Sequence, residues 1–172
     1  MRAHTLAALL IGALLIAAGT AYYLSSTATG TLVIQVRDVP AAWSHVTVLF
    51  SRVEVHAAGG ANDSGWLPLA LSVNSIDFVG LTNLTALLAQ GHIAPGTYTQ
   101  IRIIVTSVDG ILSGGQSVTM EVPDGVLKTA TPFTLRGGGT TVVTIDLDLA
   151  RSIHQANGLW VFSPVLGPLD VQ

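Results

Sequence analysis

Residues 95–108 read PGTYTQIRIIVTSV, a turn that feeds straight into the clearest strand pattern in the chain. Pro95 presets its φ for the turn and Gly96 accepts the positive φ that a type II turn wants next. β-formers then run until Asp109-Gly110 breaks them. Ile101, Ile103 and Val105 fall on one face, and Gln100, Arg102 and Thr106 on the other, so one face belongs in a core. Ile104 interrupts the polar face, which implies that this second face is partly covered too.

The rest of the chain is written in the same pattern. Residues 31–37 read as a first strand stopped by Asp38-Val39-Pro40, with Trp43 in the connection that follows. Residues 45–57 form a long second strand whose middle is apolar on both faces, which suits a central position. Toward its end Val53 and Val55 take one side, and Arg52, Glu54 and His56 the other. After the loop 59–65, residues 66–69 suit an edge and residues 75–79 a short strand. Thr82 or Asn83 can cap a brief helix carrying Leu84, Leu87 and Leu88, ended by Gly91. Residues 117–122, 132–136, 140–149 and 159–165 supply further strands, with Pro123-Asp124-Gly125 as a turn and Gly137-Gly138-Gly139 as a hairpin loop. In residues 140–149, Val143, Ile145, Leu147 and Leu149 point inward. Short strands between Gly, Pro and Asp turns predict an all-β, antiparallel β-sandwich with one or two short helices rather than an α/β fold.

At 172 residues the chain fits one domain and an appendage. The appendage is the segment from Thr5 to Leu24, which carries no charge over the length a helix needs to cross a bilayer. Arg2 and His4 precede it and Tyr22-Tyr23 close it, which favours an N-in, C-out transmembrane anchor. The competing reading is a secretory signal cleaved near the small residues 17–21. This divides the chain into an anchor (1–24), a polar spacer (25–29) and an extracellular domain (30–172) on a single-pass cell-membrane protein, or a secreted one. Only 10% of residues are charged, the net charge is -3, Lys128 is the one lysine and the arginines lie far apart, so nucleic acid is not an expected partner. With no cysteine there is no disulfide frame, thiolate nucleophile, iron–sulfur cluster, thiolate zinc site or lipid-modified cysteine.

The sequence resembles the archaeal and bacterial surface domain known as domain of unknown function 4382. The resemblance is carried by residues 30–40, by Ser51-Arg52-Val53-Glu54-Val55-His56, by Trp66, and by the run from Ala94 through Arg102. It continues in Val122-Pro123-Asp124-Gly125, Ile145-Asp146-Leu147-Asp148, Ser152-Ile153 and Ser163-Pro164-Val165. It implies a compact immunoglobulin-like or transthyretin-like sandwich on secreted or membrane-tethered proteins, and it brings no catalytic residues. Many members look like lipoproteins; this chain lacks the required cysteine, so anchoring falls to its own helix.

Glu54 and His56 share one strand face, and Asp146 and Asp148 another. Were those strands neighbours, the four could ligate a divalent metal. The alternative is a solvated face with cross-strand pairs to Arg52 or Arg102, and a guanidinium at Arg102 would satisfy those carboxylates without an ion. Ser152-Ile153-His154 holds a nucleophile and a base type, but no G-x-S-x-G elbow is present. Asn62 and Asn83 begin N-x-[ST] sequons, usable on an exported chain. Trp43, Trp66 and Trp160 suit packing or a binding platform. The expected role is therefore non-catalytic, without a cofactor, and structural, adhesive or binding at the cell surface, toward surface proteins, polysaccharide or like subunits. Two alternatives stand beside it: a filament subunit assembled by β-strand addition, with the segment after Leu24 or the apolar tail from Leu166 to Val171 completing a neighbour's sheet, and a metal-binding surface module.

Overall fold

The computed structural model describes residues 28–38, 43–61, 64–81 and 84–172, together with Ile16 and Thr20. Thirteen strands are formed among them: β1 (Gly30–Asp38), β2 (Trp43–Ala57), β3 (Trp66–Leu71), β4 (Ser75–Asp77), β5 (Ala86–Ile93), β6 (Gly96–Leu112), β7 (Ser117–Met120), β8 (Val126–Thr129), β9 (Phe133–Leu135), β10 (Thr140–Leu147), β11 (Ile153–Ala156), β12 (Leu159–Phe162) and β13 (Leu166–Val171). The 3-10 turn Val79–Leu81 and the four-residue helix α1 (Leu149–Ser152) complete them. The sheet runs β13-β10-β1-β5-β3-β2-β6-β7, with β4 on β2 and β8 and β9 on β6. It curls at β3, whose first half pairs with β2 (Val53↔Leu69) and whose last residues pair with β5 (Leu71↔Ala89). The two limbs close on one core: Leu32, Ile34, Val143 and Ile145 come from the first, Val48, Val53, Ile101 and Ile103 from the second.

β6 places Tyr98, Ile101, Ile103, Val105 and Val108 in that core, as its alternation predicts. Tyr98 stacks on Phe133 and donates its hydroxyl to Ala94 O at 2.7 Å, pinning the Pro95-Gly96 turn; burial pushes its phenol above the usual value. Asp109-Gly110 does not break the strand. Asp109 pairs with Thr47 and Thr119, and the reversal falls instead at residues 113–116, where Gly115 takes a φ of 84°. Gly110 serves packing: a Cβ there would lie 2.6 Å from Trp43 Cζ3 and 2.7 Å from Met120 Cε.

Several expectations are corrected. Residues 86–93 are strand β5, not a helix; Leu88 is buried while Leu84 and Leu87 are 61% and 38% exposed. The leucine spacing fits a helical face, but pairing with β1 (Thr31↔His92, Val33↔Gln90) overrides that local preference. β3 lies between β2 and β5 rather than at an edge, and Trp43 is part of β2. The glycines at 137–139 are not a hairpin loop, because β9 pairs with β6 whereas β10 pairs with β1 and β13. The sheet is not wholly antiparallel: β1 and β10 run parallel from Thr31↔Thr140 to Asp38↔Leu147, which the long excursion between them permits. β8, β11 and β13 were not evident as strands, and the 159–165 strand stops at Phe162. The tail 166–171 is β13, paired with β10 of its own chain.

The segment from Thr5 to Leu24 lies outside the described residues apart from Ile16 and Thr20, both helical, with Thr20 Oγ1 donating to Ile16 O at 3.0 Å. Among the described residues no helix is long and apolar enough to cross a membrane. Asn62 and Asn83 also lie outside them.

α1 is capped by Asp148, whose carboxylate accepts from Arg151 Nε at 2.7 Å and Arg151 N at 3.0 Å. The side-chain bond from Arg151, then its backbone bond, hold the Asp148 carboxyl below the usual range. A depressed folded value means that stability from this group is present above the unfolded value of about 4 and lost as pH falls through the folded one. Asp148→Ala should therefore cost about 1 kcal/mol near neutral pH. The gap to wild type in urea midpoints should narrow on acidification, and a gap independent of pH would contradict the assignment.

Candidate functional site

The polar groups best organised by the fold sit on the outer side of β2, β3 and β6. Strand parity turns Arg52, Glu54 and His56 away from the core, and register sets Glu54 between Pro68 on β3 and Arg102 on β6. His56 lies between Trp66 and Gln100, and Arg102 beside Lys128 on β8. Glu54, only 6% exposed, accepts from Arg102 Nε, with Arg52 Nη1 at 3.7 Å. The Arg102 guanidinium lies 4.1 Å over the Trp66 ring, a cation–π contact that fixes its plane. The His56 ring meets Trp66 edge-on at 5.0 Å.

His56 Nε2 is 3.3 Å from Ala61 O and Nδ1 is 3.3 Å from Thr99 Oγ1. A carbonyl only accepts, so Nε2 carries a proton and donates to Ala61 O, while Nδ1 shares a hydrogen bond with the Thr99 hydroxyl. Both ring nitrogens are thus engaged, and neither is left to bind a metal. What this arrangement offers chemically is a rigid guanidinium flanked by further cations, Arg52 and Lys128.

The proposed metal quartet is not assembled. Glu54 and His56 are on β2, whose neighbours are β3, β4 and β6; Asp146 is on β10 and Asp148 follows it, and β10 pairs with β1 and β13. Each carboxylate instead has an arginine, Asp146 meeting Arg37 at 3.3 Å and Asp148 meeting Arg151. Among the described residues no three His, Asp or Glu side chains converge. Ser152 is fully buried, donating to Asp148 O at 2.6 Å and accepting from Val165 N at 2.8 Å, while His154 is exposed, so the two form no nucleophile–base pair. The three tryptophans do not share a platform: Trp43 and Trp160 pack edge-on at 4.8 Å, and Trp66 belongs to the arginine cluster.

Sequence reasoning missed a second polar group at the far end of the same sheet face. His45 Nδ1 lies 2.6 Å from Asp77 Oδ2, and the other Asp77 oxygen accepts from Val46 N at 3.1 Å. Thr119 Oγ1 donates to Asp109 Oδ1 at 2.7 Å, and these strands border an open trough of about 540 Å³. No local motif announces this group, because it exists only through the row Asp77↔Thr47↔Asp109↔Thr119 across four strands.

Fold and site together define a two-layer, strand-paired β domain whose organised polar chemistry lies on an outer sheet face. The chain belongs to the domain of unknown function family DUF4382, whose sequence pattern matches residues 29–164, from β1 through β12. Three segments that carry that likeness, residues 51–56, Trp66 and residues 94–102, converge on the Glu54–Arg102–Trp66–His56 cluster. No curated protein matches the chain. Among solved structures, a Bacteroides fragilis protein crystallised as a "putative cell adhesion protein" is similar at 16% identity and a TM-score of 0.32. The alignment covers 86% of this chain but 45% of that one, and at this distance it carries no argument.

Proposed function

We propose that this chain is a membrane-anchored extracellular domain with a non-catalytic binding, adhesive or structural role at the cell surface. The observation that carries it is the uncharged 20-residue stretch of residues 5–24, joined by a short polar spacer to an all-β domain. The two limbs of the curled sheet make an immunoglobulin-like or transthyretin-like sandwich, whose outer faces and end loops are the available contact surfaces. Because the chain has no cysteine, a Gln155→Cys variant carries a single thiol on the exposed β11–β12 hairpin. A membrane-impermeant maleimide should label that thiol in intact cells, in protein that sediments with membranes. Labelling only after lysis would refute the export; labelled protein free in the medium and shortened at its N terminus would favour the cleaved form.

A filament subunit built by strand addition is the second reading, and β13 is what favours it. None of its residues is fully buried, it is held at the sheet edge along β10, and it lies beyond the span matched by the family. Addition would then be an exchange, a neighbour's residues 166–171 replacing the strand that fills this edge. Truncation before Leu166 should abolish polymers while the domain stays folded, and polymers that persist would exclude this route.

A further inference from the structure

The outer face formed by β2, β6 and β8 is divided by charge. At one end, register gathers Arg52, Arg102 and Lys128 on adjacent strands around the single carboxylate Glu54, a net charge of +2 counted from those residues. Among the described residues Lys128 makes no ion pair, and the shared Glu54 carboxylate leaves most guanidinium N–H groups of both arginines unused. At the other end lie the two carboxylates Asp77 on β4 and Asp109 on β6, with His45 on β2 beside Asp77. Arg102 and Asp109 are seven residues apart on β6, about 23 Å at ~3.3 Å per residue.

Between the two ends the face carries Leu49, Ile104 and Val126, all pointing outward and only partly buried. Asp124, at the turn before β8, is directed to its own backbone, accepting from Val126 N at 3.1 Å. An apolar centre rimmed by opposite charges is the anatomy of a protein–protein contact. Its symmetry selects the partner. A two-fold axis lying in the face and crossing the strands near Thr106 reverses strand direction, so it lays the cationic end of one copy over the acidic end of another.

We infer that this face binds a second copy of the same chain, antiparallel and face to face, through the Arg52/Arg102/Lys128 end on one copy and the Asp77/Asp109 end on the other. For an exported surface domain this makes the contact homophilic, and it rests on the proposed surface role only for where the two copies meet. The contact itself belongs to the folded domain, so it can fail in solution while cell-surface labelling succeeds, and the reverse.

The test is a charge swap on the full chain, reconstituted at one chain per nanodisc and dye-labelled at Gln155→Cys for energy transfer between populations. Lys128→Glu alone and Asp109→Lys alone should each weaken association about tenfold or more, since each puts like charges together twice. Mixing the two variants should restore it, because both contacts are then again between opposite charges. Circular dichroism melts verify that each variant is folded. Absence of transfer in wild type at low salt, or a mixture no better than the single variants, would overturn the inference. So would binding of heparin, used as a polyanion probe, that Lys128→Glu abolishes while Lys128→Glu and Asp109→Lys leave self-association untouched; the cationic end would then serve an anionic polymer.

Discussion

Arg102→Met is expected to lower the stability of the domain by about 2–3 kcal/mol in urea denaturation. Removing one partner of a buried ion pair costs about 3–5 kcal/mol, because the remaining charge keeps its burial and loses its compensation. Glu54 is in that position, buried and bonded to Arg102 Nε. The cost falls toward the lower end because the Arg102 side chain is 29% exposed and Arg52 stays 3.7 Å from the same carboxylate. Arg52→Ala, at a side chain 61% exposed, should shift stability by less than about 1 kcal/mol. The double variant Glu54→Leu/Arg102→Met should return to within about 1 kcal/mol of wild type, since apolar groups of similar volume carry no desolvated charge. If the double variant is as unstable as Arg102→Met alone, the ion pair is not what the position contributes, and the guanidinium–tryptophan stack would have to be.

Leu88→Ala and Leu87→Ala should separate widely, the first costing about 2–5 kcal/mol and the second below about 1 kcal/mol. Leu88 is completely buried in the core, whereas Leu87 is 38% exposed opposite Gln35. A helix with both leucines on its inner side would make the two losses comparable. The comparison therefore reports directly on whether residues 86–93 are a strand, and equal losses would reject β5 as described.

These two cases mark how far the residues could be read unaided. The outward turn of Glu54, His56 and Arg102 was legible, because alternation at period two assigns each residue of a strand to a face without knowledge of its neighbours. That Arg102 could satisfy an acidic group on a flanking strand was legible for the same reason. Which acidic group it would be was not. Glu54 and Asp146 both sit two residues from a second potential ligand on outward faces, and nothing local distinguishes the strand beside β6 from a strand in the other limb. Residues 84–91 failed differently: three leucines at helical spacing before a glycine satisfy a helix as well as a strand, and only the ladder to β1 decides. Gly110 failed because glycine after aspartate signals a turn, while its reason here is the Trp43 ring, 67 positions away in sequence.

By itself the sequence determined an all-β domain with one-sided strands, an uncharged segment ahead of it, no thiol chemistry, and an outer face where Ile104 stands among polar residues. Tertiary structure alone decided that Glu54 meets Arg102 rather than joining Asp146 in a metal site, that β1 and β10 run parallel, and that the Ile104 face is cationic at one end and acidic at the other. The physical reason is that a strand's faces follow from its own covalent alternation. Its neighbours follow from backbone hydrogen bonds closed across long stretches of chain, and those are chosen by the packing of the whole core.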